Sequence, residues 1–286
     1  MTSWQIDSQT RLFGVMGNPV FHSKSPVMMN RAFRETGFNG IYTAFHVQPD
    51  DLGKAIAGLR AVQVGGLNVT IPHKVEVIRY LDDVDESATM IGAVNTIINE
   101  NGKLTGYNTD GIGYVRALKE ETGFDPSGKT ILLLGAGGAA RGVAYALAKS
   151  GAACICIANR TVEKAEQLAS FLSPYTKTKG MGLSEIGNLM DNVHLIVNTT
   201  SAGMAPNEDE VPYTLTAVPP GFVASDLIYN PMKTAFLKQA SKLGAIVHSG
   251  LGMFIYQGAY AFEYWTCQKA PVQAMREAVL QSLKLN

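Results

Sequence analysis

Residues 130–160 restrict what this 286-residue chain can fold into more than any other part of it. An apolar run, Thr130-Ile-Leu-Leu-Leu134, leads into a glycine-rich turn, Gly135-Ala136-Gly137-Gly138-Ala139-Ala140. A helix-compatible stretch follows, and then a second apolar run, Cys154-Ile-Cys-Ile-Ala158, ending at Asn159-Arg160-Thr161. Strand, turn, helix and strand in that order make a βαβ unit, and such units build parallel sheets. Gly135 permits the tight turn, Gly137 lets the backbone approach a phosphate, and Ala140 allows close packing of helix on strand. A pyrophosphate then rests on backbone N–H groups of residues 135–139 at the helix N-terminus.

The end of the second strand is where such a unit contacts the adenosine ribose. A 2′-hydroxyl calls for Asp or Glu there, and this chain has neither. Arg160 suits a 2′-phosphate, and Asn159, Thr161 and Lys164 add donors and a second cation. The expected cofactor is therefore NADP. The plainer use of Arg160, a surface arginine opening a helix, stays open at this point.

Lysine plus arginine equals aspartate plus glutamate at 24 each, so no global field points to nucleic acid or a membrane surface. The chain starts without a charged-then-apolar secretory pattern, and no run reaches the ~18 apolar residues of a membrane span. Three cysteines argue against a disulfide framework, and core packing is expected for Cys154, Cys156 and Cys267. The five histidines lack ligand spacing, so no metal is expected. These features favour a cytoplasmic protein whose partner is a small molecule, with a homodimer as the candidate assembly.

Apolar runs and helix-like segments alternate along the first hundred residues, with strands expected at 12–16, 41–47 and 66–70. Ser25-Pro26 supplies an N-cap and an early proline for a helix to about Thr36. Further helices are expected at 49–61, from Lys74, and at 85–91. Asn101-Gly102 between 93–98 and 103–107 is a hairpin signal, because both positions tolerate positive φ. A helix from Asp110 then leads to Asp125-Pro-Ser-Gly128, the candidate linker. Beyond the βαβ unit, strands are expected at 194–198, 222–226 and 245–248, helices at 162–172 and 233–243, and helix throughout 253–283. The fold class is α/β with two domains. Residues 1–110 form a substrate and catalytic domain with a mostly parallel sheet, and 111–250 a Rossmann-type NADP domain. Residues 251–286 are C-terminal helices packing back on the first domain.

Polar clusters fall at or just after the carboxyl ends of the expected strands of the first domain, the edge where open α/β sheets bind ligands. They are Ser23-Lys24-Ser25, Thr70-Ile-Pro-His-Lys74, Gly92-Ala-Val-Asn95-Thr96 and Asn108-Thr-Asp110-Gly111. Hydroxyls, amides, an ammonium and a carboxylate suit a small polyhydroxylated carboxylic acid. Each residue also has a local use: Ser25 and Asp110 as caps, Asn95 in a turn.

These motifs resemble those of the shikimate dehydrogenase family over nearly the whole chain. The matching segments are His22-Ser-Lys-Ser-Pro26, Asn68-Val-Thr-Ile-Pro-His-Lys74, Gly92-Ala-Val-Asn-Thr96 and Gly106-Tyr-Asn-Thr-Asp-Gly111. They continue with the glycine turn, Asn159-Arg-Thr161, Asn198-Thr-Thr-Ser-Ala-Gly203, Asp226-Leu-Ile-Tyr229 and Gly250-Leu-Gly-Met253 with Gln257. The resemblance implies reversible reduction of 3-dehydroshikimate to shikimate with NADPH. It implies that Ser23 and Ser25 bind the substrate carboxylate, and that Thr70, Lys74, Asn95, Asp110 and Gln257 surround the ring hydroxyls. Tyr229 would also reach the substrate. Gly135, Ala136, Gly137, Gly138 and Ala139 would hold pyrophosphate, and Asn159, Arg160, Thr161 and Lys164 the 2′-phosphate. Leu227, Gly250 and Met253 would line the nicotinamide, with Glu86 near the cofactor.

Lys74 and Asp110 are the expected catalytic pair, since an ammonium beside a reacting oxygen can exchange its proton while a carboxylate orients both. The alternatives are an enzyme that also uses quinate, a non-catalytic ligand sensor, and a reductase of another pathway on the same cofactor domain.

Overall fold

The computed structural model describes residues 5–284, which divide into two compact units, 5–109 with 257–284 and 110–256. The first unit contains strands β1 (Arg11–Gly17), β2 (Gly40–His46), β3 (Gly66–Val69), β4 (Asp83–Val84), β5 (Thr96–Glu100) and β6 (Lys103–Tyr107). Their order across the sheet is β2-β1-β3-β5-β6-β4, and all run parallel except β5. The reversal of β5 comes from the hairpin at Asn101 and Gly102, whose φ values of 54° and 92° are both positive. Helices α1 (Ser25–Thr36), α2 (Leu52–Ala61) and α3 (Glu86–Ile91) complete the first part of this unit. Met16, Leu52, Ile56, Leu67, Val77, Val94 and Ile97 form an apolar core there.

The second unit contains α4 (Asp110–Thr122), β7 (Thr130–Leu134), α5 (Gly138–Lys149), β8 (Cys154–Ala158), α6 (Val162–Leu172) and β9 (Lys177–Met181). It continues with β10 (Leu195–Asn198), β11 (Val223–Asp226), α7 (Ala235–Lys242), β12 (Ile246–His248) and the start of α8 (Gly250–Thr266). The order β12-β11-β10-β7-β8-β9 is entirely parallel, the doubly wound pattern whose direction of progression switches between β7 and β10. Both faces are covered, so the strands are continuous apolar runs such as Ile131 to Leu134, all 0% exposed.

Several expectations require correction. Asp125-Pro-Ser-Gly128 does not separate the units; α4, which precedes it, already packs on α5, where a Cβ on Gly111 would lie 2.4 Å from the Gly142 carbonyl oxygen. The second boundary falls at 256/257 inside the continuous helix α8, not at 250/251. The C-terminal part of α8 belongs to the first unit: Trp265 donates to the Ile97 carbonyl at 2.9 Å and lies where a side chain on residue 66 would be. The stretch 253–283 is two helices, with Pro271 preceding α9 (Val272–Lys284). No helix opens at Lys74. Residues 71–75 form turns, and a 3-10 helix spans Glu76–Tyr80. Strands β4 and β9 escape sequence reading because one is two residues long and the other, Lys177-Thr-Lys-Gly-Met181, is a polar edge strand with lysines as an edge requires. Cys267 is exposed beyond the end of α8 with φ 54°, so it does not pack in a core helix. No described helix is long and apolar enough to cross a membrane.

Candidate active site

In the second unit a pocket of about 430 Å³ opens at the switch between β7 and β10. Leu134, Gly135, Asn159, Arg160 and residues 200–202 line it, with Leu183 and residues 210–212 closing another side. Gly135 has φ 105°, and a Cβ there would meet Thr199 Oγ1 at 2.7 Å, so only glycine fits the turn without strain. A Cβ on Gly137 or Gly138 would meet nothing within 4 Å, which leaves open space over the backbone at the start of α5. Gly137 caps α5 with no side-chain bond, so the first N–H groups of that helix, at Gly138 and Ala139, are presented without a competing side-chain acceptor.

Asn159 Nδ2 donates to the Thr161 carbonyl at 2.9 Å and shapes the turn that carries Arg160. Arg160, Thr161 and Lys164 are exposed, with Thr161 at the N-cap position of α6, making no side-chain cap bond, and Lys164 in its first turn. Open amides, a glycine turn and an exposed guanidinium beside one pocket fit a dinucleotide carrying an extra phosphate. Ala136 sits between Gly135 and Gly137 in the same turn.

Asp226 anchors the other side of this sheet edge. Its buried carboxylate accepts from Asn198 Nδ2 at 3.1 Å, the Ile228 amide at 3.0 Å and Thr234 Oγ1 at 2.8 Å. Burial raises its pKa above the ordinary carboxylate value against the pull of those three donors. The segment it fixes carries Leu227 and Tyr229, whose ring stacks on Phe254 at 4.9 Å. Burial raises the Tyr229 phenol as well. Gly250 starts α8, where a Cβ would lie 2.0 Å from the Leu227 carbonyl oxygen, and Met253 follows one turn on. Leu227, Tyr229, Gly250 and Met253 are thereby gathered at the ends of β11 and β12. Glu86 is exposed at the start of α3, in the first unit.

In the first unit the polar clusters meet through a buried network. Tyr42 donates to Asn68 Oδ1 at 2.7 Å, and Asn68 Nδ2 donates to Thr96 Oγ1 at 3.1 Å and the Asn95 carbonyl at 3.2 Å. Asn95 Nδ2 donates to Thr109 Oγ1 at 3.0 Å, while its Oδ1 accepts from the Thr109 amide at 2.8 Å. Thr109 also donates to the Gln257 carbonyl at 3.1 Å, which brings Gln257 to the same place. At the other end, burial holds the Tyr42 phenol well above its ordinary pKa, opposed by a hydrogen bond with Ser25. Lys24, not Ser25, is the N-cap of α1 and makes no side-chain cap, so Ser25 is not spent on capping. Ser23 Oγ accepts from the Ser25 amide at 3.3 Å.

Lys74 is half-buried, and its carbonyl accepts from the Val94 amide at 2.8 Å, tying the turn after β3 to the residue before Asn95. Thr70, at the end of β3, donates its amide to Met16 and accepts from the His73 amide. Asp110, half-buried, follows Thr109 in the chain and opens α4. Ser25, Thr70, Lys74, Asn95 and Gln257 are therefore held on mutually bonded segments. Tyr42, Asn68, Thr96 and Thr109 were not expected to take part. Asn68, Thr96 and Thr109 lay inside quoted motifs, whereas nothing in the sequence around Tyr42 marked it. Leu183 and residues 210–212 of the other pocket were likewise unmarked. Among the described residues no group of three or more His, Cys, Asp or Glu side chains could hold a metal ion.

Fold and pocket define a two-unit α/β protein with a doubly wound dinucleotide-binding sheet. Family models of the shikimate dehydrogenase substrate binding domain, shikimate / quinate 5-dehydrogenase and the shikimate 5'-dehydrogenase C-terminal domain match residues 15–97, 117–210 and 250–280. A shikimate dehydrogenase (NADP(+)) of Geobacillus sp. is 49% identical over 96% of this chain and 99% of its own. One from Methanopyrus kandleri is 48% identical over 99% of both. A crystal structure of a shikimate dehydrogenase in complex with NADP+ superposes with a TM-score of 0.90 at 46% identity, covering 97% of each chain. This chain belongs to the shikimate dehydrogenase family.

Proposed function

We propose that the protein is an NADP-dependent oxidoreductase that reduces 3-dehydroshikimate reversibly to shikimate in aromatic amino-acid biosynthesis. The observation that carries the substrate side is the convergence of Ser25, Thr70, Lys74, Asn95 and Gln257 on hydrogen-bonded segments of one unit. Ser23 and Ser25 offer hydroxyls for the carboxylate, while the amides and Thr70 suit ring hydroxyls.

When bound, NADP supplies hydride chemistry, and residues 135–139 with Asn159, Arg160, Thr161 and Lys164 are the groups that would hold its phosphates. Leu227, Gly250 and Met253 would border the nicotinamide, Tyr229 would reach the substrate, and Glu86 would assist near the cofactor. In this reading Lys74 donates a proton to the oxygen as the carbonyl carbon is reduced and recovers it in the reverse direction. Asp110 orients Lys74 and the hydroxyl, a division of labour common in acid–base catalysis.

Steady-state assays with shikimate and quinate, each with NADP and NAD, test the reading. Turnover of shikimate with NADP is expected to dominate, and dominance of quinate with NAD would replace it with the broader-specificity alternative. NADPH use in biosynthesis supports a cytoplasmic location. Pairing into a homodimer is a separate question for sedimentation, because the chemistry draws on residues of one chain.

A further inference from the structure

β11 and β12 end side by side, with Ser225 paired in register with His248. Both are buried, at 0% and 2% exposure. A polar imidazole in such a place costs free energy unless its nitrogens are engaged. His248 Nδ1 is hydrogen-bonded to Ser225 Oγ at 2.9 Å, while Nε2 lies 3.5 Å from Glu121 Oε2 of α4, an ion-pair contact when the ring is protonated and not a hydrogen bond. Tyr114, two turns earlier on the same face of α4, sets its ring edge-on to the imidazole at 5.7 Å and 77°. The Glu121 carboxylate also covers the first turn of α8, since a Cβ on Gly252 would come within 2.5 Å of Oε1. His248 is therefore the middle member of a link from β11 through β12 to α4 and the start of α8. All of these residues lie within 110–256.

The strand ends joined by this link carry Leu227, Gly250 and Met253. Gly250 has no room for a side chain against Leu227, and its amide donates to the Ile228 carbonyl at 3.1 Å. A small shift between β11 and β12 would move all three residues relative to the glycine turn on β7, which the link does not touch. Resting on the proposed function, we infer that His248, with Ser225 and Glu121, is a positioning residue for the nicotinamide half of the cofactor. It plays no part in holding the adenosine half.

The test compares two probes on the full chain: NADPH, followed by its fluorescence, and 2′,5′-ADP, which is only the adenosine half, followed by calorimetry. His248→Phe keeps a ring against Tyr114 but removes both polar links. It is expected to weaken NADPH roughly fivefold to tenfold, the effect of losing such bonds. The dissociation constant for 2′,5′-ADP should stay within about twofold, a split that general damage to the unit would not produce. His248→Gln, which restores a donor and an acceptor, should recover part of the NADPH affinity. If His248→Phe does not fold, Ser225→Ala and Glu121→Ala each remove one link and should show the same split more weakly. Equal weakening of both probes, or no change in either, overturns the inference. Failure of the unaltered chain to bind either probe would instead overturn the functional reading and the inference together.

Discussion

The two units solve the same problem, a ligand edge on an α/β sheet, with different chemistry at that edge. The first unit has buried polar side chains in and beside its sheet: Asn68 and Thr96 on its strands and Asn95 and Thr109 next to them form one bonded network. The second is apolar along β7, its buried polar groups lie at the ends of β10, β11 and β12, and the groups proposed to hold the cofactor are backbone amides and exposed side chains beyond the strand ends. A site that recognises ring hydroxyls needs side-chain donors and acceptors fixed in direction, and burial in a network fixes them. A pyrophosphate needs a helix terminus and space, which glycines provide with no network behind them.

This contrast predicts where substitutions act. Lys74→Ala should lower kcat by at least ~100-fold with NADP binding nearly intact, the scale of lost acid–base help. Equal turnover in the variant would remove Lys74 from the chemistry. On the cofactor side, Arg160→Gln should narrow the preference for NADP over NAD by about 5- to 150-fold, corresponding to about one to three kcal/mol of charge-assisted bonding. Shikimate affinity should not move, and a change in both would blur the separation drawn between the units.

Asn68→Ala should cost about 1–3 kcal/mol, because the Tyr42 phenol and the Thr96 hydroxyl lose a buried partner. Thermal denaturation would show this as a fall on the order of 5 °C. An unchanged midpoint would mean that the network orders the site without stabilising the unit.

The smallest effects are expected from pH, and they have opposite signs in the two units. Asp82 in the first unit is held below the ordinary value, chiefly by the Leu104 amide and then by Arg60. Its contribution to stability is present above the unfolded value and is lost as pH falls through the folded one. Asp226 in the second unit is raised by burial. Its contribution is present below the unfolded value and is lost as pH rises through the folded one. Carboxyl carbon titrations by NMR should place Asp226 above Asp82, and the reverse order would contradict the environments described here.

Much of the second unit was legible in the sequence because its information is local. A glycine turn between two apolar runs specifies strand, turn and helix without reference to distant residues, and α6 spans residues 162–172 as its pattern required. The hairpin at Asn101-Gly102 was legible for the same reason. The polar segments around Ser23, Thr70, Asn95 and Asp110 could be marked as chemistry-bearing by residue type and position at strand ends.

Their assembly was decided only by tertiary structure. Tyr42 and Asn68 are 26 residues apart, and Thr109 and Gln257 are 148 apart, separations at which no periodicity carries a signal. The same holds for Glu121 and His248, joined across α4 and β12. Turns and helices follow from backbone sterics over a few neighbouring residues. Which buried donor meets which acceptor depends on how whole elements stack, and that depends on the entire apolar core at once.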